Sequence, residues 1–151
     1  MTRLLSALIC AIFLAGCACC TTSPTGSALV LDRIPNNAIA QALRENPLEP
    51  GKNIKITLLN KDADCSYQLV QIRDKERLHR HNTHDVKVLL WRGKGAFLLG
   101  DKTLALKEGD LFEIPRGTPH AYTNEAGEPT VAVARFTPSF DGKDTEYTTK
   151  Q

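Results

Sequence analysis

From Ile54 to Phe136 the apolar residues fall in short runs separated by small and polar clusters, a pattern that fits strands and not helices of ordinary length. The runs cover residues 54–59, 67–72, 85–91, 96–99, 103–106, 111–114 and 130–136, and Ile, Val, Leu, Phe and Thr dominate them. Turn-forming residues separate the runs at 61–64, 92–95, 100–101, 107–110 and 125–128. Many short strands at this spacing predict one all-β domain, a sandwich or a closed barrel. Upstream the period changes: Ala38, Ile39, Ala42 and Leu43 recur at helical spacing, Asn36 or Asn37 can cap the start, and Pro47 enforces the stop. This predicts one short helix covering an edge or an end of the barrel.

The N-terminus follows a different logic. Arg3 supplies a positive charge, and Leu4 to Leu14 form an apolar segment too short to span a bilayer, which predicts an export signal over residues 1–16. Leu14-Ala15-Gly16-Cys17 resembles the lipobox of bacterial lipoproteins. The resemblance implies cleavage before Cys17, lipid attachment at Cys17, and a membrane partner reached through that lipid. Ala18, not Asp, follows the cysteine, which points to the periplasmic face of the outer membrane of a bacterial envelope. Residues 17–27 are small and polar, broken by Pro24 and Gly26, and read as a flexible tether; its extended reach is on the order of 30 Å. The folded domain is then expected over 28–151.

Composition narrows the picture. A chain of 151 residues that is 42% hydrophobic buries one core and is short for two. The net charge of +2 comes from scattered residues of both signs, with no basic stripe, so nucleic acid is not an expected partner. Of the five cysteines, Cys10 leaves with the signal and Cys17 carries lipid. Cys19, Cys20 and Cys65 remain, an odd set that implies no disulfide framework; Cys65 reads as a small core filler.

The chemistry is concentrated in histidines. His79 and His81 are spaced i, i+2, which on an extended strand sends both imidazoles to one face. Two imidazoles on one face suit a first-row divalent metal without choosing among them. Downstream, Gly109 makes a tight turn, residues 111–114 form a strand, Pro115 and Gly117 turn the chain, and Pro119 sets an extended approach to His120. His84 and Asp85 read as solvated turn residues. Phe112, Tyr122 and Trp91 are candidates for the barrel lining or plain core, and Glu113 alternates with Phe112 toward solvent.

These residues resemble the cupin superfamily. Its second motif, G-x5-P-x-G-x2-H-x3-N, is matched at every fixed position by Gly109, Pro115, Gly117, His120 and Asn124. The first motif is matched by His79, His81 and Gly93, but Arg73 stands at its opening glycine, and its glutamate falls on Val86 or, with a shorter spacer, on Asp85. Strand parity chooses Val86 as the inward residue, because turning Asp85 inward would also bury Lys87. The resemblance covers residues 76–137. It implies a cupin (double-stranded β-helix, jelly-roll) barrel whose mouth holds a divalent transition metal, Fe, Mn, Ni or Zn, on His79, His81 and His120, without the usual carboxylate ligand. It also implies a small polar molecule as ligand, and cupins often form homodimers. As an enzyme the protein would be a metal-dependent dioxygenase or isomerase. The rival readings are a non-catalytic envelope lipoprotein that captures a metal or metabolite, and a metal-free structural cupin. No general base stands out in the sequence, and residues 136–144 carry no assigned chemistry.

Overall fold

The computed structural model describes residues 33–148 apart from Asn36. The export signal, Cys17 and the whole of the tether therefore lie outside the described residues. The described chain opens with helix α1 (Ala38–Glu45) and continues through β1 (Ile54–Lys61), β2 (Ser66–Ile72), β3 (His79–Arg80), β4 (Asp85–Arg92) and β5 (Lys94–Leu99). It ends with β6 (Lys102–Lys107), β7 (Leu111–Ile114), β8 (His120–Asn124), β9 (Thr130–Thr137) and β10 (Glu146–Tyr147). These strands form two antiparallel sheets of five, ordered β1-β2-β9-β4-β7 and β10-β3-β8-β5-β6. The architecture is the double-stranded β-helix.

Each expected strand run forms a strand, extended by a residue or two at several ends. Strands β3, β8 and β10 are additional. They are short and carry polar residues at alternate and adjacent positions, so periodicity does not announce them. The first sheet is apolar on both faces, which its strands show as near-continuous hydrophobic runs. Its inner face carries Ile72, Val86, Val88, Leu90, Ala132, Ala134 and Phe136, packed toward Phe97 and Tyr122 of the second sheet. Its outer face carries Leu69, Leu89, Val131 and Val133, and these pack on Ile39 and Ala42 of α1.

The helix thus lies on the outer face of the sheet, not over an edge or an end. A fully apolar second face must be covered, and the amphipathic α1 buries Ile39 and Ala42 to cover it. Asn37 occupies the N-cap position without a side-chain cap, and its carbonyl accepts from Gln41 N at 2.9 Å. Cys65 is fully buried with a free thiol, as expected of a filler. Trp91 is 43% exposed and does not line the barrel, because it follows Leu90 and points outward.

Candidate metal centre and cavity

The sheets enclose a cavity of about 320 Å³. Aliphatic and aromatic side chains of β2, β4, β5, β7 and β9 form its depth, while its polar lining comes chiefly from Gln68, Glu76, Arg77 and three histidines. Those histidines are His79, His81 and His120. Their ligand atoms all lie within 4.8 Å of one another, a spread that one ion with metal–nitrogen bonds of about 2.1 Å can close with small ring rotations.

Local structure explains the convergence. His79 in β3 sits directly across from His120 in β8, the one residue pair that joins these strands, and their rings lie 4.3 Å apart. His81 follows β3, with its ring 5.1 Å from that of His79 and 5.4 Å from that of His120. Phe136 and Phe140 back it edge-on at 5.1 and 5.6 Å. The loop before β8 is tied to the same place, since Gly117 N donates to the His81 carbonyl at 2.6 Å.

Each imidazole is oriented by a backbone carbonyl. Nδ1 of His79 donates to the Arg77 carbonyl at 2.8 Å, Nδ1 of His120 to the Thr118 carbonyl at 2.9 Å, and Nδ1 of His81 to the Asp144 carbonyl through a short contact. A carbonyl can only accept, so all three rings carry their proton on Nδ1 and present the Nε2 lone pair. Burial holds the pKa of His79 and His81 below the ordinary histidine value and, with the neighbouring His79, pushes His120 down to about 3. Neutral rings with oriented lone pairs are the form that binds a metal, so the donor set fits a divalent ion.

The acidic positions resolve as parity demands. Val86 is 2% exposed and lines the cavity, whereas Asp85 faces outward. Asp85 pairs with Arg116 at 2.5 Å and accepts from Arg116 N at 2.9 Å, which holds its carboxyl below the usual range. Glu113 is also outside, 3.6 Å from Lys87. Phe112 and Tyr122 line the cavity.

His84 departs from expectation, being buried and not solvated. Its Nδ1 donates to Asp144 at 2.6 Å, and its ring packs on Phe140 at 5.2 Å. The same Asp144 carboxylate accepts from Asn82 N, Thr83 N and Thr83 Oγ1 at 2.8–2.9 Å. Burial alone would raise this carboxyl, but these donors hold it well below the usual carboxylate range. Arg80 and Asn82 also hold Glu146, with Arg80 Nη2 at 2.6 Å and Asn82 Nδ2 at 2.8 Å. The C-terminal segment is thereby strapped across the mouth, and it delivers the carbonyl that orients His81. Sequence reasoning left this segment without a role because its partners lie some sixty residues away.

The remaining motif residues are structural. Asn124 donates to the carbonyls of Arg73 and Glu128 at 2.9 and 3.0 Å and accepts from Thr130 Oγ1 at 2.7 Å, pinning the β8–β9 turn to the end of β2. Gly93 has φ 105°, and a Cβ there would lie 2.5 Å from Thr130 Oγ1, so a side chain is excluded twice over.

The family model for the cupin domain matches residues 67–136. The chain belongs to the cupin family. The matched region begins earlier than the motif-based span of 76–137 and takes in β2, which supplies Gln68, Val70 and Ile72 to the cavity wall. An uncharacterized protein of Aquifex aeolicus is 40% identical over 101 residues, 67% of this chain and 80% of that one. A Klebsiella pneumoniae protein with a double-stranded β-helix domain superposes with a TM-score of 0.61 at 17% identity, covering 72% of this chain and 95% of that one. The nucleoside dehydratase Pac13 of Streptomyces superposes with a TM-score of 0.56 at 17% identity, over 64% and 78% of the two chains. At these identities the two structures speak for the cupin fold alone.

Proposed function

We propose that this cupin binds one divalent first-row metal ion through Nε2 of His79, His81 and His120 and acts on a small molecule held in the adjoining cavity. The observation that carries the reading is the orientation of the rings: three Nδ1 donors are committed to backbone carbonyls, which leaves three neutral Nε2 acceptors on histidines whose ligand nitrogens cluster within 4.8 Å. A divalent ion there would act as a Lewis acid toward an oxygen of the bound molecule. The set carries no formal charge and leaves coordination positions for ligand and water, as a catalytic site needs. The cavity volume of about 320 Å³ restricts the ligand to a small molecule, polar where it meets the histidines and apolar where it meets Val70, Val88 and Phe97.

The same proposal places the domain on a lipid anchor at Cys17, outside the cytoplasm, at the end of the tether of residues 17–27. Cys17→Ser is then expected to abolish lipid labelling and release the protein from membranes; membrane attachment that persists in this variant would remove the anchor from the reading.

The metal reading is tested by elemental analysis of the detergent-solubilised full chain, purified without chelator. Near-stoichiometric Fe, Mn, Ni or Zn that disappears in His79→Ala/His81→Ala is the expected result. A wild-type protein that stays empty after incubation with each of these ions would reject it.

A further inference from the structure

Glu76 is the acidic residue that the histidine motifs do not account for. It precedes β3 on an irregular segment whose backbone is zipped to β8: Glu76 N donates to the Tyr122 carbonyl at 2.8 Å, Lys75 bridges Thr123, and Asn124 N donates to the Asp74 carbonyl at 2.7 Å. The strand that presents His120 at its start therefore also fixes Glu76 against the cavity wall. Among the described residues no ion pair includes Glu76. Its neighbour Arg77 instead lies over the Tyr147 ring at 4.0 Å. A half-buried carboxylate without a cation in a cavity wall is costly, and the fold does not need one there. The titratable groups that line the same cavity are Arg77, His79, His81, His120, Tyr122 and Tyr147.

We propose that Glu76 is the acid–base group of this site, moving a proton at the hydroxyl-bearing carbon next to the carbonyl of a small α-hydroxycarbonyl compound, so that the reaction is an isomerisation and not an oxygenation. This rests on the metal reading above. In the forward direction the Glu76 carboxylate accepts the proton from the carbon next to the carbonyl. The C–H electron pair becomes part of a carbon–carbon double bond, and the carbonyl π pair moves to its oxygen. The proton of the hydroxyl on the first carbon passes to that oxygen while its O–H electron pair closes a new carbonyl, and the carbon–carbon π pair takes the proton back from the Glu76 carboxyl at the former carbonyl carbon, which regenerates the carboxylate; no external oxidant or reductant is consumed. Burial raises the Glu76 pKa to about 7, only partly offset by a hydrogen bond from the Tyr122 backbone, so both protonation states are populated near neutrality. Its partial exposure at the mouth allows exchange of the proton with water.

Two measurements on the full chain test this. In metal-free protein labelled with carboxyl-13C glutamate, one resonance should titrate with a midpoint near 7 and be missing in Glu76→Gln; a midpoint in the ordinary carboxylate range would overturn the proposal. In zinc-loaded protein in D2O, exchange of the carbon-bound protons of dihydroxyacetone, glycolaldehyde and glyceraldehyde is followed by proton NMR. Wild type should exchange at least one of them, and Glu76→Gln should lose at least about a hundredfold in rate with zinc content and melting temperature unchanged, while Glu76→Asp retains part of it. Exchange by Glu76→Gln at the wild-type rate, or no exchange of any of the three by the zinc-loaded wild type, would overturn the proposal and leave the metal reading standing. Failure of the wild type to take up zinc, read by elemental analysis, would bring down the metal reading and the proposal with it.

Discussion

Val86 and His81 look into one cavity from adjoining walls, but they are held there by different means. Val86 is placed by strand alternation within β4: its backbone is laddered between Ile114 and Phe136, and its side chain joins a continuous apolar layer. His81 follows a strand of two residues, and its ring is set by the Asp144 carbonyl, which reaches it from the other end of the chain. The wall is built from local periodicity, with large hydrophobic stabilisation distributed over many residues. The mouth is built from a few long-range hydrogen bonds, each with a definite geometry. The wall should therefore respond to mutation in stability, and the mouth in metal affinity.

The largest effect is expected in the wall. Leu90 is 1% exposed, and Leu90→Ala should lower stability by about 2–5 kcal/mol in denaturant unfolding, taking metal binding with it only as the protein unfolds. Next, His79→Ala/His81→Ala should abolish metal uptake while leaving the unfolding midpoint of the metal-free protein near that of wild type; a collapse of stability would show that the rings are core and not ligands. Asp144→Ala sharpens the comparison further, since it removes the carboxylate that anchors the strap while changing neither a wall residue nor a candidate ligand. It should weaken metal binding roughly 10–100-fold by calorimetry, with a smaller loss of stability. An Asp144→Ala protein that binds metal as wild type does would reduce the strap to packing alone.

A pH effect follows from His120. Its folded pKa of about 3 lies below the ordinary value of 6.5, so the unfolded chain takes up a proton that the folded chain resists. Stability of the metal-free protein should therefore fall as pH drops from about 6.5 toward 3, and the slope should flatten in His120→Gln. The smallest effect belongs to Arg116→Ala, whose ion pair with Asp85 is well exposed; its unfolding midpoint should stay near that of wild type.

The division between wall and mouth also separates what was legible in the sequence. Every strand of the wall could be read from its apolar run, and the inward direction of Val86 from the parity of Val88 and Leu90, because a pleated strand allows no other choice once one face is buried. The i, i+2 spacing of His79 and His81 is of the same kind. Glu76 escaped because alternation counted back from His79 puts it on the opposite face; the chain between β2 and β3 is irregular, and there parity does not carry. His84 escaped because its burial depends on Phe140 and Asp144, which the sequence places far from it.

The sequence by itself determined the all-β domain, the strand spans of the wall, the histidine set and the outward Asp85, since each depends on neighbours a few residues apart along a strand or on motif spacing. Only the tertiary structure decided that α1 covers the outer face of a sheet, that the C-terminal strap orients His81, and that Glu76 enters the cavity. Those three depend on which distant segments meet, and contacts across such separations are set by the packing of the whole barrel, not by the local rhythm of apolar and polar residues.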